Sequence, residues 1–419
     1  MKIANKKRAV MLIADGLGDR PIPSLGNKTP LEYASTPTLN ELCKNGISGL
    51  IHPYRPGAKC GTDWGHLCLF GYDPAPFYTG RGSIEAASAG IRLQKGDVAF
   101  RGNFATVADD FTVADRRAGR ISEKEDIDAL LEAIQDITID GCSFLVRSLT
   151  EHRLALVMRG AGLSGKVANT DPGTACEGQP VNDPRSSCAS GEERTARILW
   201  EFLQEVHARW QDHPVNQRRL AQGKLPANFT LTRGSGSAIV LPPFAARFLG
   251  ARVACIAGDV TITGIAEMCG FEGYTQSSFT GGFDSDYAGK ARKAVELLQD
   301  HDLVIVHVKA TDLCGHDDLP LKKAEVIEKI DGMYRYILEN TDPAATYYIM
   351  TADHSTPCQY REHSADPVPS FFCGPDVRTD SVQHYGERAC GAGLLNQYTG
   401  AQLMATIMDY LGFNPKFGA

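Results

Sequence analysis

Four apolar runs of similar make recur along the chain: RAVMLIAD (8–15), RVACIAGD (252–259), DLVIVHVKATD (302–312) and TYYIMTADH (346–354). Each is continuously apolar and then ends in polar residues, the pattern of a strand buried on both faces. Between them the apolar period lengthens to that of helices, in DYAGKARKAVELLQDH (286–301) and LKKAEVIEKIDGMYRYILEN (321–340). Strands alternating with helices predict an α/β architecture, a mostly parallel sheet sandwiched by helices. Ligands of such sheets lie beyond the carboxyl ends of the strands.

The middle of the chain is patterned differently. GDVAFRGNFATVADDFTVADRRAGRIS (96–122) is β-rich with turn residues, and SFLVRSLTEHRLALVMRG (143–160) holds two more strand-like runs. A helical stretch, KEDIDALLEAIQDI (124–137), lies between them. This mixture predicts a smaller α+β domain over 91–189, inserted into a core formed by 1–90 and 190–419. NTDPGTACEGQPVNDPRSSCASGEER (169–194), rich in Gly, Pro, Ser and Asp, reads as the return linker. The amphipathic helix TARILWEFLQEVHARWQDH (195–213) follows it.

At 419 residues the chain exceeds one ordinary domain, which agrees with an insertion. Its net charge of -7 argues against a nucleic-acid partner but leaves room for a local basic pocket that takes a small anion. The twelve cysteines are scattered without a CxxC pair, as expected for reduced thiols in a cytoplasmic protein. Near the N-terminus, basic residues precede AVMLIA, but six apolar residues are too few for the core of a signal peptide. No stretch approaches the ~20 apolar residues of a bilayer span, so no membrane partner is expected.

The polar ends of the runs carry the chemistry. Asp15 closes the first run, Asp312 the third with His316 four residues on, and Asp353-His354 the fourth, with His363 beyond. An isolated aspartate at a strand end is ordinarily a helix cap or turn residue. If these strands are sheet neighbours, however, all of these groups converge. Carboxylates mixed with imidazoles, without thiolates, suit zinc or manganese. Six such groups fit two metals ~3.5–4 Å apart, the arrangement of phosphoryl chemistry. KCGTDWGHLCLFGYDP (59–74) shows no strong helix or strand pattern, yet it offers a hydroxyl, Thr62, beside Gly61. A metal-coordinated hydroxyl is an activated nucleophile, and the glycine leaves room for a phosphoryl group.

Beyond these residues the chain resembles the archaeal-type cofactor-independent phosphoglycerate mutases of the alkaline phosphatase superfamily. The matching segments run in order over nearly the whole length: ADGLGDRPIPSLGNKTPLEYASTPTLNEL, LFGYDP, YTGRGSIEAASAGI, GDVAFRGNFATV, DRRAGRI, DHPVN, LPAN, HVKATD, CGHD, TADHSTPC and HSADPVP. The resemblance implies an alkaline-phosphatase-like core and two divalent metals, usually manganese, with zinc, cobalt or magnesium as substitutes. Asp15, Asp353 and His354 would hold one ion together with the Thr62 hydroxyl; Asp312, His316 and His363 would hold the other. It also implies a substrate bound between the core and the inserted domain. The implied reaction interconverts 3-phosphoglycerate and 2-phosphoglycerate through a phosphoenzyme, in glycolysis and gluconeogenesis.

One departure is pointed. The family's nucleophile is normally serine in the pattern Gly-Ser-Asp-x-x-His, and here Thr62 stands in its place. The extra methyl crowds the oxygen and stiffens χ1. That keeps open a related metal-dependent phosphatase, phosphonate hydrolase or phosphotransferase on another small phosphorylated substrate. Cys60 and Trp64, beside the nucleophile, either mark a changed substrate or only repack the segment. The expected partner is a small phosphorylated carboxylic acid, and the protein is expected as a monomer or homo-oligomer. Arginine grips phosphate and carboxylate with two N–H groups. Arg101, Arg117, Arg120, His152 and Arg153 are therefore the candidate substrate contacts, with Arg116 and Arg159 weaker ones. Lys309, three residues before Asp312, is the catalytic candidate that points at the phosphate, and His66 is a structural or supporting histidine.

Overall fold

A computed structural model describes residues 6–149, 151–416 and 418. The chain forms two compact units, one built from the residues up to Pro76 and those from Leu241 onward, the other from Phe77–Val240.

The first unit is organised on a seven-stranded sheet in the order Glu272–Tyr274, Val253–Ile256, Leu303–Val308, Arg8–Ala14, Thr346–Thr351, Val368–Cys373, Gly46–Ile51. The first five strands pair in parallel and the last two join antiparallel, so the sheet is mixed and mostly parallel. All four runs picked out by their continuous apolarity are strands of this sheet. Ala9–Ala14, Leu303–Val308 and Thr346–Thr351 are buried throughout, which is why these strands do not alternate. The helical stretches that separate them fold as Tyr287–Leu297 and Pro320–Glu339. Tyr334 on the second of these is fully buried and its hydroxyl donates to the Ile349 carbonyl, pinning helix to sheet. The strand order places Arg8–Ala14 between Leu303–Val308 and Thr346–Thr351. The three strands that lead to Asp15, Asp312 and Asp353 are thus adjacent and parallel, and their carboxyl ends share one edge of the sheet.

The second unit has its own antiparallel sheet, in the order Val113–Asp115, Val98–Val107, Arg153–Arg159, Cys142–Ser148, Thr138–Ile139, with Phe229–Ser237 also paired to Val98–Val107. Helices Lys124–Glu132 and Glu193–Gln211 contribute to its core. There Phe104 stacks on Trp210 and Phe144 on Phe202.

This unit is wider than the 91–189 span expected from the sequence. On one side, helix Arg81–Ser88 packs on Val98–Val107, with Gly82 so close that a Cβ would stand 2.2 Å from the Ala99 carbonyl oxygen. On the other, the Glu193–Gln211 helix and the Phe229–Ser237 strand join the same core. The stretch read as a return linker is irregular but tied in, because Asp171 within it is buried against Arg116.

Candidate active site

The first unit gathers its chemistry where those three strands end. Asp15 directly follows its strand, and its backbone N–H donates to the Val308 carbonyl of the neighbouring strand. Asp312 does not close a strand: the chain turns at Lys309 and Asp312 sits on helix Ala310–His316. Asp312 and His316 are therefore one helical turn apart on one face. Thr62 also corrects the sequence reading, because it is the first residue of a helix, Thr62–Leu69, with Gly61 as its N-cap. Gly65 lets that helix lie against the Asp353 backbone, since a Cβ there would stand 2.3 Å from the Asp353 carbonyl oxygen.

Seven candidate ligands and Lys309 meet around three buried carboxylates. Lys309 Nζ lies 3.1 Å from both Asp15 carboxylate oxygens, 2.7 Å from Asp312 Oδ2 and 3.5 Å from Thr62 Oγ1. His354 Nε2 is 3.2 Å from Thr62 Oγ1, 3.1 Å from Asp353 Oδ2 and 3.5 Å from Asp15 Oδ1. On the other side, Asp312 Oδ1 is 3.4 Å from His316 Nε2 and 3.6 Å from His363 Nε2. Among the described residues, three sets bring their possible ligand atoms within 4.8 Å of one another: Asp15/Asp353/His354, Asp312/His354/His363 and Asp15/His66/His307. His354 thus stands between the two expected ligand sets, its ring stacked on that of His363.

The donor set fits divalent cations. His316 and His363 place Nδ1 against backbone carbonyls, of Arg361 and Cys60, so each Nδ1 carries the proton and Nε2 presents a lone pair to the carboxylates. Lone pairs facing carboxylate oxygens at these distances suit a shared cation. Asp15, Asp312 and Asp353 are all buried, and among the described residues Lys309 is the lysine paired with them. Burial, and then Asp353, push the Asp15 carboxyl up to about 7, more than Lys309 relieves. Asp312 is held below its ordinary range because Lys309 and His354 outweigh its burial. Asp353 is likewise held well below its ordinary range by His354 and His66, again against burial.

Two histidines support this cluster, and the sequence reading passed over one of them. His307, inside its strand, places Nε2 2.9 Å from Asp15 Oδ2, both groups fully buried. His66, one helical turn beyond Thr62, places Nδ1 2.7 Å from the Thr62 carbonyl oxygen and 3.2 Å from Asp353 Oδ2. Among the described residues, His66 Nε2 and His307 Nδ1 are buried without a hydrogen-bond partner. The available signal for His307 was a histidine inside an otherwise apolar strand. Trp64 packs edge-on against Tyr54, and the Cys60 carbonyl receives His363, so both neighbours of Thr62 have local structural work.

The second unit carries the arginines. Arg116 and Arg159 are consumed by two-pronged pairs with Asp171 and Asp97, rather than with the nearer acids of the sequence. Arg117, Arg120 and Arg153 are exposed and make no ion pair among the described residues. They act together on His152: burial first, then Arg153, Arg117 and Arg120, hold its imidazole down at about 4. Arg101 is mostly buried beside Glu85, at 3.4 Å, and Arg81 and Arg233 extend the positive cluster.

Comparison with known proteins bears on this arrangement. The model of the family 2,3-bisphosphoglycerate-independent phosphoglycerate mutase matches residues 43–216. The Pyrococcus furiosus protein of that description is 42% identical, over 99% of this chain and all of its own length. A Methanocaldococcus jannaschii relative of the same description is 41% identical over 99% of this chain and 100% of its own. This chain belongs to that family. Its fold matches a solved Pyrococcus horikoshii protein, at 36% identity and a TM-score of 0.84 over 99% of this chain and 100% of that one. It also matches the cofactor-independent phosphoglycerate mutase of Thermoplasma acidophilum, at 34% identity and a TM-score of 0.75 over 97% and 100% of the two chains.

Proposed function

We propose that this mutase-family chain interconverts 3-phosphoglycerate and 2-phosphoglycerate, with Thr62 as the residue that carries the phosphoryl group between the two positions. The observation that carries the reading is the placement of the Thr62 hydroxyl. It lies at a helix N-terminus, between Lys309 Nζ and His354 Nε2, beside the cluster of three buried carboxylates.

Asp15, Asp353, His354 and Thr62 would hold one divalent ion, and Asp312, His316 and His363 a second, with manganese as the proposed metal. When bound, such ions supply the positive charge that favours a deprotonated hydroxyl and offsets the phosphoryl oxygens. The remaining work belongs to the chain. Thr62 Oγ1 attacks phosphorus while the bond from phosphorus to the C3 oxygen of the substrate breaks, and that oxygen takes up a proton. The glycerate then turns, its C2 hydroxyl gives up a proton as that oxygen attacks the same phosphorus, and the bond to Thr62 breaks, leaving Thr62 and the proton count as they began. Lys309 donates toward Thr62 Oγ1 and so stabilises negative charge on that oxygen in both steps. The N-terminal turn of Thr62–Leu69 presents backbone N–H groups to the phosphoryl oxygens. Arg101, Arg117, Arg120, His152 and Arg153 are proposed to recognise the substrate's anionic groups.

A coupled assay on manganese-loaded protein tests the reading, with 3-phosphoglycerate supplied, 2-phosphoglycerate measured and free phosphate followed in parallel. Isomerisation kept in Thr62→Ser and lost in Thr62→Ala is the expected result. Phosphate release without isomerisation would replace the mutase reading with a hydrolase, and turnover surviving in Thr62→Ala would remove Thr62 as the carrier.

A further inference from the structure

We propose that Asp115 is a positioning residue for recognition of the anionic substrate: its carboxylate fastens a left-handed turn from which Arg117 and Arg120 are presented. The proposal rests on the reading that these two arginines contact the substrate.

The turn is unusual for its composition. Ala118, Gly119 and Arg120 follow one another at φ values of 47°, 61° and 57°. Left-handed backbone is unfavourable for residues with a Cβ, and runs of it are rare. A segment that only reverses the chain uses glycine or asparagine at such positions; here an alanine and an arginine accept the strain. Strain of this kind persists only where the surroundings over-determine it, and it gathers at functional sites.

The surroundings do over-determine it. Asp115, at the end of strand Val113–Asp115, accepts hydrogen bonds at Oδ1 from the backbone N–H of Arg117 at 2.7 Å and of Gly119 at 3.1 Å. The Arg120 N–H closes the turn onto the Arg117 carbonyl at 2.8 Å. Ala118 is fully buried, and its carbonyl accepts from the buried Arg219 at 3.0 Å. Just before the turn, Arg116 is buried in its two-pronged pair with Asp171.

Buried anchors at Arg116 and Ala118 therefore leave the arginines at 117 and 120 on the exposed side. These line a cleft of about 360 Å³ with Thr174, Ala175 and Glu177. Both guanidiniums also act electrostatically on the buried His152, so the two charges bear on a common neighbour. A fixed turn spares the ordering cost that two mobile arginines incur on binding an anion. Removing the half-buried Asp115 carboxylate frees the turn without opening the core.

The test is a comparison of mutase kinetics in full-length, manganese-loaded protein for Asp115→Ala, Asp115→Asn, Asp115→Glu, Arg117→Ala and Arg120→Ala. Amide hydrogen exchange across 115–120 is measured in each. Asparagine keeps the acceptor oxygen at the same reach, whereas glutamate keeps the charge and misplaces it. Expected are a KM for 3-phosphoglycerate raised about tenfold in Asp115→Ala and Asp115→Glu, with kcat within twofold of wild type. Faster exchange at Arg117 and Gly119 accompanies it, and Asp115→Asn behaves as wild type. A raised KM in the two arginine variants with an unchanged KM in Asp115→Ala and Asp115→Glu would overturn the positioning role while leaving the arginine reading intact. An unchanged KM in both arginine variants would remove the arginine reading and the inference with it. If Asp115→Ala does not fold, the contrast between asparagine and glutamate decides: equal KM values in those two variants overturn the proposal.

Discussion

Replacing His307 by phenylalanine removes one hydrogen bond to one carboxylate oxygen and little else. His307 and Asp15 are both fully buried, 2.9 Å apart through Nε2 and Oδ2, and a carboxylate there only accepts, so Nε2 carries the proton. Burial, and then the neighbouring His66, keep the ring neutral. The bond fixes Asp15 Oδ2 and leaves Oδ1 turned toward His354 at 3.5 Å. Without it, among the described residues, the side-chain hydrogen bonds left to the Asp15 carboxylate are those from Lys309, whose Nζ is equidistant from both oxygens. Partners of this kind behind a ligating carboxylate are worth roughly 10- to 100-fold in metal affinity, about 1.4–2.7 kcal/mol. The assay is titration of metal-stripped protein with manganese, with free ion followed by electron paramagnetic resonance and the heat by calorimetry. His307→Phe should weaken one of two binding events by that factor and leave the other within twofold. His307→Gln, which offers an N–H at similar reach, should recover most of the loss. Two binding events of wild-type affinity in a folded His307→Phe protein would refute the bracing role.

Other changes follow from the same geometry. Gly65→Ala would place a methyl 2.3 Å from the Asp353 carbonyl oxygen; it should abolish isomerisation and reduce manganese stoichiometry, read by metal analysis after desalting. Asp171→Ala leaves Arg116 buried without its carboxylate and should cost about 3–5 kcal/mol, measured by urea unfolding. His152 is buried and held down at about 4, so the unfolded chain binds the proton more readily over the interval from about 6.5 to 4. Its contribution to stability is complete above about 6.5 and is lost as pH falls through that interval. The urea midpoint of His152→Gln should therefore depend less on pH there than that of wild type.

The sheet of the first unit was legible because burial on both faces leaves a mark in every residue of a strand. Asp15, Asp312 and Asp353 could be brought together on paper for the same reason: once the runs are neighbours, their ends are neighbours. What escaped depends on pairings across long stretches of sequence. Arg116 and Arg159 find Asp171 and Asp97, 55 and 62 residues away, although Asp109, Asp110 and Asp115 are nearer in sequence. Helix Arg81–Ser88 and strand Phe229–Ser237 come to Val98–Val107 from opposite ends of the insertion, so its edges carry no local signature. The helix that begins at Thr62 escaped because it has no side-chain cap and holds a glycine, a tryptophan and a cysteine in eight residues. Its stability comes from what it packs on, including Asp353.

That helix also bears on the threonine itself. Two heavy atoms on Cβ leave few χ1 wells, and in the one adopted here Oγ1 faces Lys309 Nζ at 3.5 Å and His354 Nε2 at 3.2 Å. A serine in the same place must lose rotamer freedom to reach that position, whereas threonine loses less. The methyl costs room at the phosphorus, and its stiffness offsets part of that cost by holding the oxygen in place, where misplacement is heavily penalised. The two effects separate in kinetics. Crowding acts on the attack and depresses kcat, so relief of crowding in Thr62→Ser should raise kcat. Loss of preorganisation in the same variant should lower it. A kcat for Thr62→Ser below that of the native protein, with metal stoichiometry unchanged, would show that rigidity outweighs room at this site; a rise of several-fold would show the reverse.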